Sequence, residues 1–319
     1  MNPQRLRPNH AVIGLGVLVA VFTAGSGVAS LVNGFHDDSP ITREVFINIP
    51  GSLKLAFYTV IPMLIIYGAV LFSQRVQNWQ RGTPDNRSTN TGNAKRRFGD
   101  FRSGVFMKTL LRDPAAGVMH ALIYFPFLIL MAVTTVLEIN HQVPESIKFL
   151  HGDVYRAYTA VGDIAGVLYL IGVVWAVLRR YGPRRYRIRI KSKPEHAAVL
   201  LIFLAIGVTG FGAEAFRIAL QASLGGHGAE AETWSVIGYP LAMAIGSSDQ
   251  LAGNLAGWHQ VWWIAHVVSF MAFLALLPIT MIRHMFTSPL NMYLKDRDRP
   301  KGAMKAMPNL METELESFG

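Results

Sequence analysis

The sequence predicts an all-α, polytopic membrane protein with six transmembrane helices, and three observations predict it. Hydrophobic residues make up 51% of the 319, and the mean hydropathy is +0.30. Uncharged apolar runs of about 20 residues recur along the chain, the length needed to cross a hydrocarbon core of about 30 Å. Basic residues collect in alternate connections between these runs, the pattern left by membrane insertion. Lipid offers no partners to a backbone, so each run must satisfy its own hydrogen bonds as a helix.

The runs lie near 11–33, 52–74, 115–138, 156–178, 197–221 and 258–284. The first is too long for a cleaved signal peptide and is followed by no small-residue cleavage pattern. Of the 30 Lys and Arg, 25 fall before span one, between spans two and three, after span four, or in the tail. The loops near 34–51, 139–155 and 222–257 hold only Arg43 and Lys148. Both termini are therefore expected in the cytoplasm, with the chain multi-pass in a bacterial cytoplasmic membrane. The net charge of +10 follows from this topology and from contact with anionic headgroups of membrane lipid, not from nucleic-acid binding. Cysteine is absent, which excludes disulfides and any iron–sulfur cluster held by thiolates of this chain.

Four units are expected. Residues 1–79 form a two-helix membrane unit. Residues 80–104 form a flexible basic linker, since the stretch from Gln80 to Lys95 is rich in Asn, Thr and Gly and lacks periodicity. Residues 105–295 form a membrane domain whose four spans bundle together, and 296–319 form a cytoplasmic tail. The piece from Trp234 to Gly246 is too short to span and is expected at the membrane interface. Trp258, Trp262 and Trp263 read as an interfacial aromatic belt.

Histidine carries the chemistry. His266 and His284 are 18 residues apart in the sixth span. On one straight helix that is five whole turns, which puts both imidazoles on one face, about 27 Å apart along the axis. This spacing suits two haems stacked across a bilayer, each iron taking a neutral imidazole on either side. His120, near the start of span three, lies level with His284 and is its expected partner. For the outer haem, His266 needs a partner near the far end of span three. His141 and His151 are both candidates, with His141 slightly favoured and Pro126 a possible kink that shifts the register. His259 lies seven residues before His266 on the same face and is a third candidate. Intramembrane Asp163, Glu214 and Arg217 read as quinone, haem-propionate or proton-handling groups, and Glu214 and Arg217 are spaced to pair on one face. Glu138 is a weaker candidate of the same kind.

The stretch from His266 to Tyr293 (HVVSFMAFLALLPITMIRHMFTSPLNMY) resembles the last helix of the respiratory nitrate reductase gamma-subunit family, in which two histidines 18 apart bind two b-type haems. The turn Leu277-Pro278-Ile279-Thr280 ahead of His284 is part of that likeness. The stretches GVMHALIYFPFLIL from Gly117, FLHGDVYRAYTAVGD from Phe149 and TGFGAEAFRIAL from Thr209 are similar to a related group. This is the membrane domain of the iron–sulfur reductases that oxidise electron-transfer flavoprotein and reduce menaquinone, relatives of heterodisulfide reductases. The resemblance implies a membrane-bound quinone oxidoreductase component with two b-type haems and menaquinone as substrate. Electrons would come from cytoplasmic iron–sulfur clusters fed by electron-transfer flavoprotein. Two departures stand out. The nitrate reductase subunit has a second ligand ten residues after the first on its first haem-binding helix, and here that position is Leu130. The sequence to Gly319 does not include the cysteine-rich cluster domains of the flavoprotein-linked relatives, so the clusters are expected on a further domain or a separate subunit. Readings from other classes are a proton-coupled small-molecule transporter, which should show repeats with broken helices, and a haem-free anchor for a reductase.

Overall fold

The computed structural model describes residues 8–32, 43, 45–81, 90–108, 110–182, 191–225 and 229–295. Their helices are α1 (Pro8–Val32), α2 (Gly51–Trp79), α3 (Thr91–Val105), α4 (Pro114–Gln142), α5 (Gly152–Tyr181), α6 (Pro194–Ser223), α7 (Gly238–Gly246), α8 (Asp249–Ala252), α9 (Leu255–Leu276) and α10 (His284–Tyr293). Among the described residues, α1, α2, α4, α5, α6 and α9 are long and apolar enough to cross a membrane. This is an all-α, multi-pass membrane protein. Leu15, Leu18, Val21 and Phe22 of α1 are each more than 60% exposed, an arrangement that only lipid makes favourable.

Local chemistry sets the helix ends. Asp113 accepts from the Ala116 N–H ahead of Pro114, the first helical residue of α4. That N–H, with the nearby Arg179 guanidinium, holds the Asp113 carboxyl below its ordinary range. Asn254 caps α9 by accepting from the Gly257 N–H at 3.0 Å.

Small residues let the long helices approach closely. A side chain at Gly16 would collide with Ala69, one at Gly172 with the α4 backbone at Leu122–Ile123, and one at Gly212 with the Trp262 ring. Without a hydrophobic drive between helices in lipid, such close approach is a main source of their association. α4 packs on α5, α5 on α6, and α6 on α9, while α1 packs on α2. The bundle centre is filled by Phe127, Tyr169, Val173, Val199 and Phe273. The buried Tyr169 hydroxyl donates to the Phe203 carbonyl at 3.0 Å.

Two expectations are corrected. The stretch taken as a flexible linker, 80–104, is helical from Thr91 onward; its residues 82–89 lie outside the described set. Asn90 caps this helix at the Asn93 N–H, 2.8 Å away. Phe98, Phe101 and Val105 form an i, i+3, i+7 stripe on the wall shared with α10, and Gly104 lets Met292 come close. The sixth span is also not one helix to residue 284. α9 stops at Leu276, a turn covers Leu277–Thr280, and a single 3₁₀ turn, Met281–Arg283, leads into α10 at His284. Pro278 has no N–H to continue the ladder, and Thr280 caps the new start through the Ile282 N–H. His266 and His284 therefore do not share a continuous helix face.

The piece near Trp234–Gly246 holds a short helix of its own. Its helix α7 packs on α6, with Ala242 fully buried. The tail from 296 onward lies outside the described residues.

Candidate functional site

At the end of the bundle that carries Arg112, Arg179, Lys193 and Arg283, here the basic end, His120 meets His284. Their ring centres are 6.0 Å apart and the rings are inclined at 70°. Two imidazoles sharing one metal through bonds of about 2 Å have centres roughly 6 Å apart. His284 Nδ1 lies 2.6 Å from the Met281 carbonyl, so it carries the proton and donates. That leaves Nε2 with its lone pair, the orientation expected of a metal-ligating histidine. The break at Pro278 makes this possible, because the 3₁₀ turn places the Met281 carbonyl beneath the ring. His120 is half-buried, and its Nδ1 is buried with no hydrogen-bond partner.

Next to this pair is a cavity of about 660 Å³ with an almost wholly apolar lining. Tyr124, one turn after His120, and Met285, adjacent to His284, form part of its wall with Phe127, Phe273, Phe286 and Phe101 of α3. Among the described residues no group of three or more His, Asp or Glu could hold a metal ion. Two opposed imidazoles beside an apolar cavity of this size suit a metal that brings its own four equatorial ligands inside a planar macrocycle. The residues present fit a haem.

His266 is placed differently. It is half-buried in the middle of α9, its Nδ1 is 3.1 Å from Thr209 Oγ1, and that hydroxyl in turn donates to the Ala205 carbonyl. Gly210 leaves room for the ring. No imidazole among the described residues packs against it. His141, at the end of α4, stands edge-on to Phe46 at 5.5 Å. His151 is exposed at the N-cap position of α5. The bundle thus brings His120 and His284 together but engages His266 with α6 instead. The tryptophans contribute packing as well as a belt: Trp258 and Trp262 stack on Phe216, and Trp263 lies against Phe46.

At the far end, the intramembrane charges form one buried cluster. Arg217, 3% exposed, does not pair with Glu214 as its spacing suggested. Its Nη1 instead bonds Glu232 at 2.6 Å. Glu232 is fully buried and also accepts from the Tyr155 hydroxyl at 2.5 Å. Burial alone would raise the Glu232 carboxyl; the Arg217 guanidinium, helped by Arg43 and the Tyr155 hydroxyl, outweighs this and holds it below its ordinary range. Asp163 accepts from the Ile237 and Gly238 N–H groups at 2.6 and 3.0 Å, tying α5 to the segment that leads into α7. Gly238 lets the Glu214 side chain come close, since a Cβ there would lie 2.8 Å from its carboxyl carbon. Glu138 accepts from Tyr58 and Gln142, and Gln142 also reaches Ser30, so this carboxyl links α1, α2 and α4.

The nitrate reductase gamma subunit family model matches residues 117–299, a segment that holds the His120–His284 pair, His266 and the buried cluster. The chain belongs to this family. It is 29% identical to an EtfAB:quinone oxidoreductase of Syntrophomonas wolfei over 91% of the chain and 41% of the relative. It is 27% identical to a probable iron–sulfur-binding oxidoreductase, FadF, of Bacillus subtilis over 66% of the chain and 28% of the relative. The chain thus spans less than half of either curated relative. No solved structure matches it significantly.

In this gamma-subunit family member, sequence reasoning passed over Glu232, Tyr155 and Ser235. Glu232 stands in a polar loop stretch, AEAETW, where an acidic residue reads as solvated. One signal was available: an arginine deep in a span needs a counter-ion, and the nearest in sequence, Glu214, is not the one it takes.

Proposed function

We propose that this chain is the membrane cytochrome b part of a respiratory quinone oxidoreductase, and that electrons cross it from iron–sulfur clusters on its basic, cytoplasmic side to menaquinone. Support comes from the family match, from the word quinone in one relative's name and iron–sulfur in the other's, and above all from one observation. That observation is the His120–His284 pair, 6.0 Å apart with the Nδ1 of His284 tied to a carbonyl. Neither a haem-free anchor nor a proton-coupled transporter accounts for imidazoles held at axial-ligand spacing beside an apolar cavity.

His120 and His284 would hold one b-type haem. His266, with His141 or His151, would hold a second. Haem supplies one-electron chemistry, and the protein sets its position, ligation and dielectric. The chain's own part is then clear from its residues. The Met281 carbonyl fixes the His284 ring, the apolar cavity walls would surround the macrocycle, and Phe127, Phe203 and Phe273 pack together in the bundle centre. The donor to the clusters is electron-transfer flavoprotein, by the first relative's name.

A dithionite-reduced minus oxidised absorption spectrum tests this. Purified protein is expected to show b-type bands, and their absence would sink the proposal. His284→Ala is expected to remove one haem and spare the other; two unchanged haems would show that the ligand pairing is wrong.

A further inference from the structure

The 3₁₀ turn ahead of His284 is held by a side chain from far along the sequence. A helical start leaves its first N–H groups without partners inside the helix. Thr280 meets the Ile282 N–H from within the turn. The Met281 N–H goes instead to Glu195, the second residue of α6, at 2.5 Å and 86 residues away in the chain. The carbonyl of the same Met281 lies 2.6 Å from His284 Nδ1. One residue therefore joins a carboxylate to the imidazole, with its N–H held by Glu195 and its carbonyl holding the ring.

The sequence presents Glu195 from a firm base. Pro194 opens α6, and the His196 ring accepts from the Lys193 N–H at 2.9 Å. Val199, one turn further on, belongs to the same buried group as Ile282 of the turn. Arg283 gives its Nη1 to the Ile279 and Thr280 carbonyls, which stiffens the turn from the other side.

We propose that Glu195 is a positioning residue for His284 and lowers the reduction potential of the haem that His120 and His284 would hold. The inference rests on the cytochrome reading above. A hydroxyl or an amide would cap the Met281 N–H as well; what a carboxylate adds is charge. An oxidised haem carries one more positive charge than a reduced one, so a carboxylate nearby favours the oxidised form. An Nδ1–H anchored to a carbonyl raises the basicity of the opposite nitrogen, which acts in the same direction. Arg180 and Lys193 act on this region together with Glu195. These cations favour the reduced form, and Glu195 offsets them. Electrons enter at this end, by the reading above, and a low potential here keeps their next step across the bundle downhill.

The test uses the full chain, loaded with haem in lipid nanodiscs and titrated from oxidised to reduced while the absorption spectrum is followed. Glu195→Gln keeps an oxygen for the Met281 N–H and loses the charge. It is expected to raise the midpoint potential of one haem while its low-spin electron paramagnetic resonance signal stays as in the parent. At a fixed ambient potential, the ratio of reduced to oxidised haem should rise on the order of fivefold, the scale of one partly screened charge. Glu195→Ala loses the acceptor too, and part of its reduced haem is expected to bind carbon monoxide because His284 can leave the iron. A ratio within about twofold of the parent in Glu195→Gln would overturn the inference, even where Glu195→Ala loosens the ligand, since a simple cap would do the same. Equal shifts of both haems would show a field spread over the molecule and would overturn it too. Should Glu195→Ala fail to fold, Glu195→Gln decides alone. All these outcomes leave the cytochrome reading intact, whereas a parent without b-type bands would overturn that reading and this inference with it.

Discussion

At the scale of single residues, the strongest local commitments are charges removed from water. Arg217 and Glu232 are 3% and 0% exposed, and breaking one side of such a pair leaves the other buried and unbalanced. Glu232→Gln is expected to cost about 3 kcal/mol, read as a lower midpoint in SDS-induced unfolding of the detergent-solubilised protein. The same carboxyl has a pH signature. Because Arg217 holds it below its ordinary range, the folded protein keeps it ionised where an unfolded chain has begun to bind a proton. Its contribution is complete above the unfolded value of about 4.3 and is lost as pH falls through the lower folded value. The protection of amides in the 229–246 segment, taken relative to their intrinsic exchange rate at each pH, should therefore hold at pH 5 and fall in more acidic buffer. In Glu232→Gln the exchange should already be fast at pH 7; parent and variant exchanging alike at all pH values would deny the pair this role.

At the scale of elements, the break between α9 and α10 matters most. Pro278 is fully buried and ends α9, after which the 3₁₀ turn swings His284 against His120 and puts the Met281 carbonyl under its ring. With Pro278→Ala the N–H returns and α9 can run on, at 100° per residue, which turns His284 away from its present bearing. The expected outcome is loss of the haem band assigned to His284 with retained helix content by circular dichroism. An unchanged spectrum would show that the turn is not what aims the imidazole. The α3–α10 contact belongs to this scale as well. An amphipathic stripe of only Phe98, Phe101 and Val105 in a strongly basic stretch is a weak helix signal, and its stability comes from packing rather than propensity.

For the whole molecule, sidedness is the property to test, and the absence of cysteine makes the test clean. Ser247→Cys is expected to react with a membrane-impermeant thiol reagent in intact cells, and Arg96→Cys only after the membrane is opened; the reverse pattern would invert the topology argued from Lys and Arg. Some of this architecture was legible in the sequence because its causes are local in the chain. Six apolar runs, their alternating basic flanks and the pairing in depth of His120 with His284 need only helical rise and hydropathy. Other features were not legible, since they depend on which distant groups meet. A straight sixth helix seemed to align His266 with His284, but Pro278 ends it. Glu214 seemed the natural mate of Arg217, yet Glu232 takes that place. Asp163 could not show from its own span that it would hold the backbone of Ile237 and Gly238. Membrane crossing was set by the sequence itself, because each segment answers alone to the solvent around it. Only the tertiary structure decided which buried charges meet, because that depends on the groups that lose their water together.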